Sequence, residues 1–402
     1  MKMKRQHRWK KRTVQEQKEI AFRWMGRVFW IVFPVIGAAA IAGTCLGTPD
    51  NRLFGAIDSD MCVPAFREKI DRNLSAQMPF RDFLVSAVTD SISAAGGKQV
   101  GDVYLANDRL LERPESLDED ALSETASQLN LFYATYQIPM MVAAVPSAGE
   151  FYVADLLEGI SYPSQLPEID TFYGNINSAV RKIDIYHVLF TGTDDYIYNR
   201  TDPRWTGYGA YCVYRNMIRK MGFAPISYDQ YSVTHAKSYR GSLYDACLYQ
   251  KVTPDILEIY QCSSGAEVTS LTAYNSDGTT EERQMYTWED SSDPYAFYLG
   301  EDCEKLSLKT NVENQKKLLL LKDSYADCMV PFLMQHYSEI CILDVTKLKH
   351  SVPELTDVSE YSQILVLCDA DTYSRQKIFQ NLLTDSKKLK NQEQTENGDV
   401  RK

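Results

Sequence analysis

KKLLLLKDSYA, residues 316–326, is the stretch that decides how the rest of the chain folds. Its run of leucines reads as a buried strand, and Asp323-Ser324 reads as the turn that ends it. The pattern repeats downstream. Residues 327–337 predict a helix, EICILDV (339–345) a second strand, SQILVLCD (362–369) a third, and residues 371–383 a closing helix. Near-continuous apolar strands separated by helices predict an α/β fold built on a parallel sheet with helices on both faces.

Upstream, residues 120–136 place Leu122, Leu129, Leu131, Phe132 and Tyr136 on a helix, and MMVAAVP (140–146) reads as a further strand. The polar loop at Pro146 to Glu150 follows its carboxyl end, where ligands bind in open α/β sheets. GDVYLA (101–106) and residues 181–186 read as short strands, and residues 65–95 as helix interrupted at Pro79. In YIYNRTDPRWTGYGAYCVYRNMIRKMGFAP (196–225), a strand-like alternation at 196–199 gives way to Thr206 in an N-cap position. Ala210, Val213, Tyr214, Met217 and Ile218 then recur at helical spacing. Asp202-Pro203-Arg204-Trp205 falls at that junction, where rigid elements on both sides position polar side chains. Residues 228–300, rich in Tyr, Ser and Thr, predict a β-rich insertion. Its tyrosines either line a glycan groove or are ordinary sheet residues.

The chain has 402 residues, 44% of them hydrophobic, enough for one large domain or two ordinary ones. Residues 1–27 carry ten Lys and Arg against two Glu, and VFWIVFPVIGAAAIAGTCL (28–46) carries no charge. Nineteen residues at about 1.5 Å each span roughly 28 Å, close to the hydrocarbon thickness of a bilayer. This predicts one transmembrane helix; a cleaved signal peptide, with GAAAIAG as its small-residue site, is the alternative. The positive-inside rule puts the basic segment in the cytoplasm. A stalk (47–64), the main domain (65–384) and a disordered tail (385–402) then lie outside the cell membrane. Setting the N-terminal charges aside from totals of 43 basic and 54 acidic residues leaves the remainder at −19. That balance excludes nucleic acid as a partner, while the basic segment is also suited to anionic headgroups. The cysteines show no CxxC spacing, so no metal site or cofactor is expected, and they are either disulfides or buried thiols.

Ser324 is the best nucleophile candidate on position. It follows an apolar strand and opens a helix, where backbone N–H groups stabilise an oxyanion. A serine there is equally a good helix cap.

Seven stretches together resemble the bacterial DHHW proteins, which are similar to the SGNH-like O-acetyltransferases of alginate and other envelope polysaccharides. They are FRD at Phe80, VYLANDRL at Val103, VPSAGE at Val145, YIYNRTDPRWTGYGA, RGSLYD at Arg240, DPYAFYLG at Asp293 and LLLLKDSYA. The resemblance covers roughly residues 65–370. It implies an SGNH-like ectodomain, Ser324 as nucleophile, Asp202 as the acid and the position of Arg204 as the base. Tyr325, Trp205 and Arg200 beside them are the substrate-binding residues it implies. The family's two histidines are Pro203 and Arg204 here, and arginine stays protonated, so it cannot take the serine's proton. Gly300-Glu301-Asp302 also replaces the Gly-Asn pair expected for an oxyanion hole.

Four histidines lie beyond the apolar segment. His336 is twelve residues past Ser324, about 18 Å by helix rise, and is excluded. His187 and His235 stay open as replacements, as do pairing of Arg204 with Asp202 or Asp323 and its use to hold an anionic ligand. The favoured expectation is a catalytically degenerate envelope protein that binds a glycan or assists its modification, with other envelope proteins as assembly partners. The alternatives are an active serine-dependent O-acetyltransferase or esterase on such a polysaccharide, and a membrane-anchored interaction domain with no glycan site.

Overall fold

The computed structural model describes residues 81–383 except 115–117, 153–161, 194, 276–277, 288–292, 302 and 376. The expected basic segment, membrane helix, stalk and tail lie outside these residues. Among the described residues no helix is long and apolar enough to cross a membrane. The chain divides into two units after Val88, and the first enters the described part only as the start of the helix Arg81–Ala94. The sheets and the cleft belong to the second.

Three short strands come first: β1 (Gln99–Val100), β2 (Val103–Leu105) and β3 (Leu110–Glu112) form a small antiparallel sheet. β4 (Met140–Val145) and β5 (Arg181–Lys182) pair in parallel at one edge of an eight-stranded sheet. β6 (Tyr231–Tyr239) and β7 (Asp255–Cys262) make a separate antiparallel ribbon. The remaining strands are β8 (Val268–Tyr274), β9 (Thr280–Glu282), β10 (Lys305–Thr310), β11 (Lys317–Lys322), β12 (Glu339–Asp344) and β13 (Gln363–Asp369). They complete the large sheet in the order β5-β4-β13-β11-β12-β10-β8-β9.

Neighbours are parallel from β5 to β12 and antiparallel from β12 to β9. The large sheet is therefore mixed, which corrects the expected parallel sheet. The physical difference is coverage. On β11, Leu318 and Leu320 join one core with Tyr214, Met217 and Phe332, while Leu319 and Leu321 join the opposite core with Leu129, Phe132 and Tyr373. Burial on both faces explains the unbroken leucine run, and each side chain contributes roughly 1.5–3 kcal/mol relative to exposure. β8 instead buries Leu271 and Ala273 and leaves Thr269 in solvent, the one-sided habit of an antiparallel edge. The β-rich stretch thus splits: β6 and β7 stand apart as a ribbon, and β8 and β9 extend the large sheet.

The helix Gly207–Lys220 begins as expected, with Thr206 Oγ1 accepting from the Gly209 N–H at 3.1 Å. Its five expected apolar positions are buried. A side chain at Gly209 would collide with the Ile197 carbonyl, so this helix approaches the preceding segment as closely as only glycine permits. Other expected elements are shorter. Residues 196–199 form only an isolated bridge, Tyr198 to Trp205. The strand at 181–186 stops after Lys182 and turns into the helix Ile185–Phe190, capped by Asp184. The helix expected at 327–337 is a 3₁₀ turn, Ser324–Met329, followed by the short helix Val330–Leu333. Pro331 lacks the N–H a continuous helix needs there, and sits instead in the first turn of a new one. The closing segment is likewise broken into Ala370–Ser374 and Ile378–Leu382, with Lys377 left-handed at φ 68° between them.

Candidate active site

The carboxyl ends of β11, β12 and β13 open into a cleft of about 560 Å³ lined by Ser324, Tyr325, Pro203, Arg204, Asp293 and Asp323 among others. The parallel register carries Asp369 of β13 alongside the start of the turn that holds Ser324. Ser324 is half-buried, and its side chain makes no hydrogen bond among the described residues. Asp323 before it accepts from the Tyr325 N–H (3.0 Å) and the Asp369 N–H (2.8 Å), which ties the ends of two adjacent strands together. Burial, and then the charge of Asp369, push the Asp323 carboxyl well above its ordinary pKa, and burial raises Asp369 as well.

The Asp202 to Trp205 turn arrives from the other side. It is closed by Asn199 N–H to Arg204 O (3.1 Å) and Thr206 N–H to Ile197 O (2.9 Å). Asp255 is buried beneath it and accepts from the N–H groups of Arg200 (2.6 Å) and Thr201 (2.8 Å) and from the hydroxyls of Thr201 and Tyr196. Two hydrogen bonds join the turn to the serine segment. The Trp205 indole donates to the Tyr325 carbonyl at 2.6 Å, and the Tyr325 hydroxyl donates to the Pro203 carbonyl at 3.2 Å. Gly241 closes the back, because a Cβ there would strike the Asp202 carboxylate.

Arg204 is held by two carboxylates at once. Its Nε and Nη2 donate to Asp202 at 2.8 and 2.9 Å, and its Nη1 and Nη2 donate to Asp293 at 2.8 and 2.7 Å. The guanidinium carbon lies 3.8 Å from the centre of the Tyr295 ring. Burial works against its charge, but Asp202 and then Asp293 outweigh it and hold the pKa far above its ordinary value. Burial also pulls the Asp293 carboxyl upward, and the hydrogen bonds and charge of Arg204 overcome this to hold it below the usual range. The second partner is Asp293, from the DPYAFYLG stretch, rather than Asp323. With every guanidinium nitrogen engaged by carboxylate, Arg204 acts as a clasp between two loops rather than as a base or an anion hook.

Of the expected site residues, Ser324, Tyr325 and Arg204 line the cleft; Trp205 is fully buried, and the Asp202 side chain, at 0% exposed, sits behind Arg204. Arg200 does not line it, but pairs with Asp108 at 3.4 Å and lies over the Tyr196 ring at 4.4 Å. No described histidine lines it either. His187 pairs with Asp184 (2.8 Å), His235 with Glu258 (3.4 Å) and His350 with Glu304 (3.0 Å). His336 bonds the Tyr214 hydroxyl at 2.7 Å, and burial lowers its pKa to about 4. The four histidines are thus engaged elsewhere, including the two left open as replacements. Gly300 and Glu301 do not line the cleft, and Asp302 lies outside the described residues.

Sequence reasoning missed Asp293, Tyr295 and Asp369. The signal for Asp369 was present, since it ends an apolar strand beside the one that ends at Ser324. Among the described residues no group of His, Cys, Asp and Glu is arranged to hold a metal ion. The described cysteines, Cys212, Cys247, Cys262, Cys303, Cys328, Cys341 and Cys368, are free thiols, and burial pushes Cys328 up to about 12.

The sequence profile of the DHHW protein family matches residues 84–343, spanning both the Asp202 turn and Ser324. The chain belongs to the DHHW protein family. No curated protein matches the sequence. A DHHW family protein from Eubacterium siraeum DSM 15702 is similar in structure, with a TM-score of 0.63 at 23% identity over 71% of this chain and 98% of that one. Bacillus cereus PatB1, solved with a sulfonyl adduct, gives a TM-score of 0.58 at 21% identity over 70% of this chain and 99% of that one. The O-acetyltransferase domain of Pseudomonas putida AlgJ gives 0.43 at 13% identity over 71% and 96%. For the first two, at 23% and 21% identity, the likeness is one of fold. Residues 202–205 of this family member read Asp-Pro-Arg-Trp.

Proposed function

We propose that this DHHW protein is a catalytically degenerate member of its family that binds an envelope glycan in the Ser324 cleft and assists its modification. Residues 28–46 anchor it in the cell membrane with the main domain outside, beside other envelope proteins that carry out the chemistry. The observation that carries this reading is the Arg204 clasp. A permanent cation held by Asp202 and Asp293 stands where the family resemblance calls for the proton acceptor, and no imidazole of the described residues lines the cleft. Bacillus cereus PatB1 forms a sulfonyl adduct, which suggests the test. The full-length protein in detergent is treated with a sulfonyl fluoride and Ser324 is read by peptide mass spectrometry. The expected result is no adduct at Ser324 and no hydrolysis of 4-nitrophenyl acetate; labelling with turnover would overturn the degenerate reading.

One observation favours the second reading, an active serine-dependent O-acetyltransferase or esterase. The Ser324 side chain opens into the cleft without a hydrogen-bond partner among the described residues, as a nucleophile awaiting substrate would. The same experiment decides between them. The anchor is checked separately: the protein should remain with membranes through high-salt and alkaline washes and be released by detergent.

A further inference from the structure

A second pocket lies at the opposite end of the sheet from Ser324. Its volume is about 510 Å³, within the range of a small-ligand site, and it forms where the chain leaves the ribbon of β6 and β7 for β8. The register fixes its place. Lys305 of β10 opposes both Tyr274 of β8 and Leu343 of β12, which marks the cleft end of the large sheet, whereas Val268, in the pocket wall, opposes Thr310 at the other end. The ribbon spans the same gap. Asp255 lies beneath the Asp202 turn, and Cys262 lines the pocket seven residues on, roughly 23 Å away at about 3.3 Å per residue.

The wall of this pocket is held in place from two sides. Gln335 Oε1 accepts from the Ala266 N–H (2.7 Å), its Nε2 donates to the Pro331 carbonyl (3.2 Å), and a Cβ at Gly265 would strike Gln335. Asn311 grips the backbone of Glu267 through its Oδ1 (2.9 Å) and its own N–H (3.1 Å). Tyr286, also in the lining, stands at φ 60°, a backbone conformation that a bulky residue keeps only where its surroundings impose it. Its hydroxyl accepts from the Tyr260 N–H (3.3 Å) and donates to the Tyr260 carbonyl (3.1 Å). With Tyr286, the residues Met285, Met334 and Val268 supply the apolar part of the lining. The polar part is unspent. Ser232 and Gln261, directly opposite each other on the ribbon, and Ser263 after it have no side-chain hydrogen bond among the described residues. Charge separates the two sites as well. The Ser324 cleft is lined by seven carboxylates and three cations, Arg204, Lys347 and Arg375, whereas Glu267 is the one charged side chain among the described residues lining this pocket.

We propose that this pocket is a second carbohydrate site, remote from Ser324, which takes an uncharged sugar unit of a glycan. The tyrosine and methionine surfaces suit the C–H face of a pyranose ring. Ser232, Gln261 and Ser263 offer donors and acceptors to its hydroxyls, and the Glu267 carboxylate has two oxygens to accept from them. An alkyl chain would cover these polar groups without meeting them, which costs free energy, and a sugar acid would set its charge against Glu267. The proposal goes beyond the reading of the Ser324 cleft and does not depend on it, because a glycan held here is held at a distance from the serine.

The test uses full-length protein in a detergent without a sugar headgroup. Fluorescent hexasaccharides of glucose, galactose and N-acetylglucosamine are titrated as neutral probes, and a hexamer of galacturonic acid as the charged one. Wild type is compared with Ser232→Ala/Gln261→Ala, with Ser232→Trp, which fills the pocket from the exposed ribbon, and with Ser324→Tyr, which fills the cleft, after confirming equal melting temperatures. At least one neutral probe should bind more tightly than the acid. Removing both polar side chains should weaken that probe about tenfold, and Ser232→Trp should abolish its binding. A diazirine-bearing copy of the same probe locates the site in wild type, with adducts expected within residues 260–268 by peptide mass spectrometry. Weakening by the pocket variants with binding kept in Ser324→Tyr supports this site alone. Weakening by all three variants supports this site and the glycan reading of the cleft together. Weakening by Ser324→Tyr alone, with adducts confined to the cleft, overturns this site and leaves the glycan reading standing. No binding of any neutral probe, or equal binding of the acid, overturns the inference.

Discussion

The strand end at Ser324 and the turn at Arg204 line one cleft in opposite states. Ser324 is half-buried, with a side chain that no described residue engages. Arg204 is 5% exposed, and each of its guanidinium nitrogens donates to a carboxylate. The first region is built like a site waiting for something, and the second like a finished piece of structure. One cleft can therefore hold an open serine beside a cation spent entirely on bracing. Asp202 anchors the cation, and a second acid, Asp293, completes the clasp.

The contrast breaks most readily at Arg204. Arg204→Ala leaves the Asp202 carboxylate buried without its cation, which should destabilise the protein by about 3–5 kcal/mol. Ser324→Ala should stay within about 0.5 kcal/mol. Urea unfolding midpoints measure both, and equal, small losses would mean that Arg204 braces nothing. A smaller effect is expected where the two regions are joined. Trp205→Phe removes the indole donor to Tyr325 and leaves that buried carbonyl with the weak Cys328 thiol donor at 3.7 Å, a loss of about 1–3 kcal/mol. If its melting temperature matches wild type, the turn and the serine segment are held together by something else.

The smallest effect separates the carboxyl groups by sign. Asp323 has a raised pKa, so the folded state binds more protons than the unfolded one. Its contribution is fully present below the ordinary carboxylate range and is lost as pH rises through the folded value. Asp293 has a lowered pKa and does the reverse: its contribution is present above the ordinary range and is lost as pH falls. Asp323→Asn should accordingly flatten the decline in stability from about pH 4 upward and leave the acid limb unchanged. Urea midpoints against pH check it, and an altered acid limb with an unaltered upper limb would reverse the assignment.

How far the chain could be read in advance followed from coverage and distance. β4, β11, β12 and β13 were legible because both faces of each are buried, which leaves near-continuous apolar runs. β8 was read only as part of a β-rich stretch, because its one-sided burial does not say which sheet it joins. The break at Pro331 was visible as a residue but was outweighed by helical spacing around it. At the site, the place of Ser324 in the cleft was legible from its position after an apolar strand, and that residue 204 cannot accept a proton follows from its identity alone.

The sequence by itself determined that an apolar strand delivers Ser324 to a turn, that the chain carries the DHHW pattern, and that position 204 cannot accept a proton. These follow from local chemistry: side-chain type, periodicity and the basicity of guanidinium. Only the tertiary structure decided what Arg204 does instead. Asp202 is two residues away, but Asp293 lies 89 residues on and reaches Arg204 through a separate loop. Nothing in the spacing of residues 202 and 293 encodes that meeting, because a buried cation takes whichever carboxylates the packed fold brings within hydrogen-bond distance.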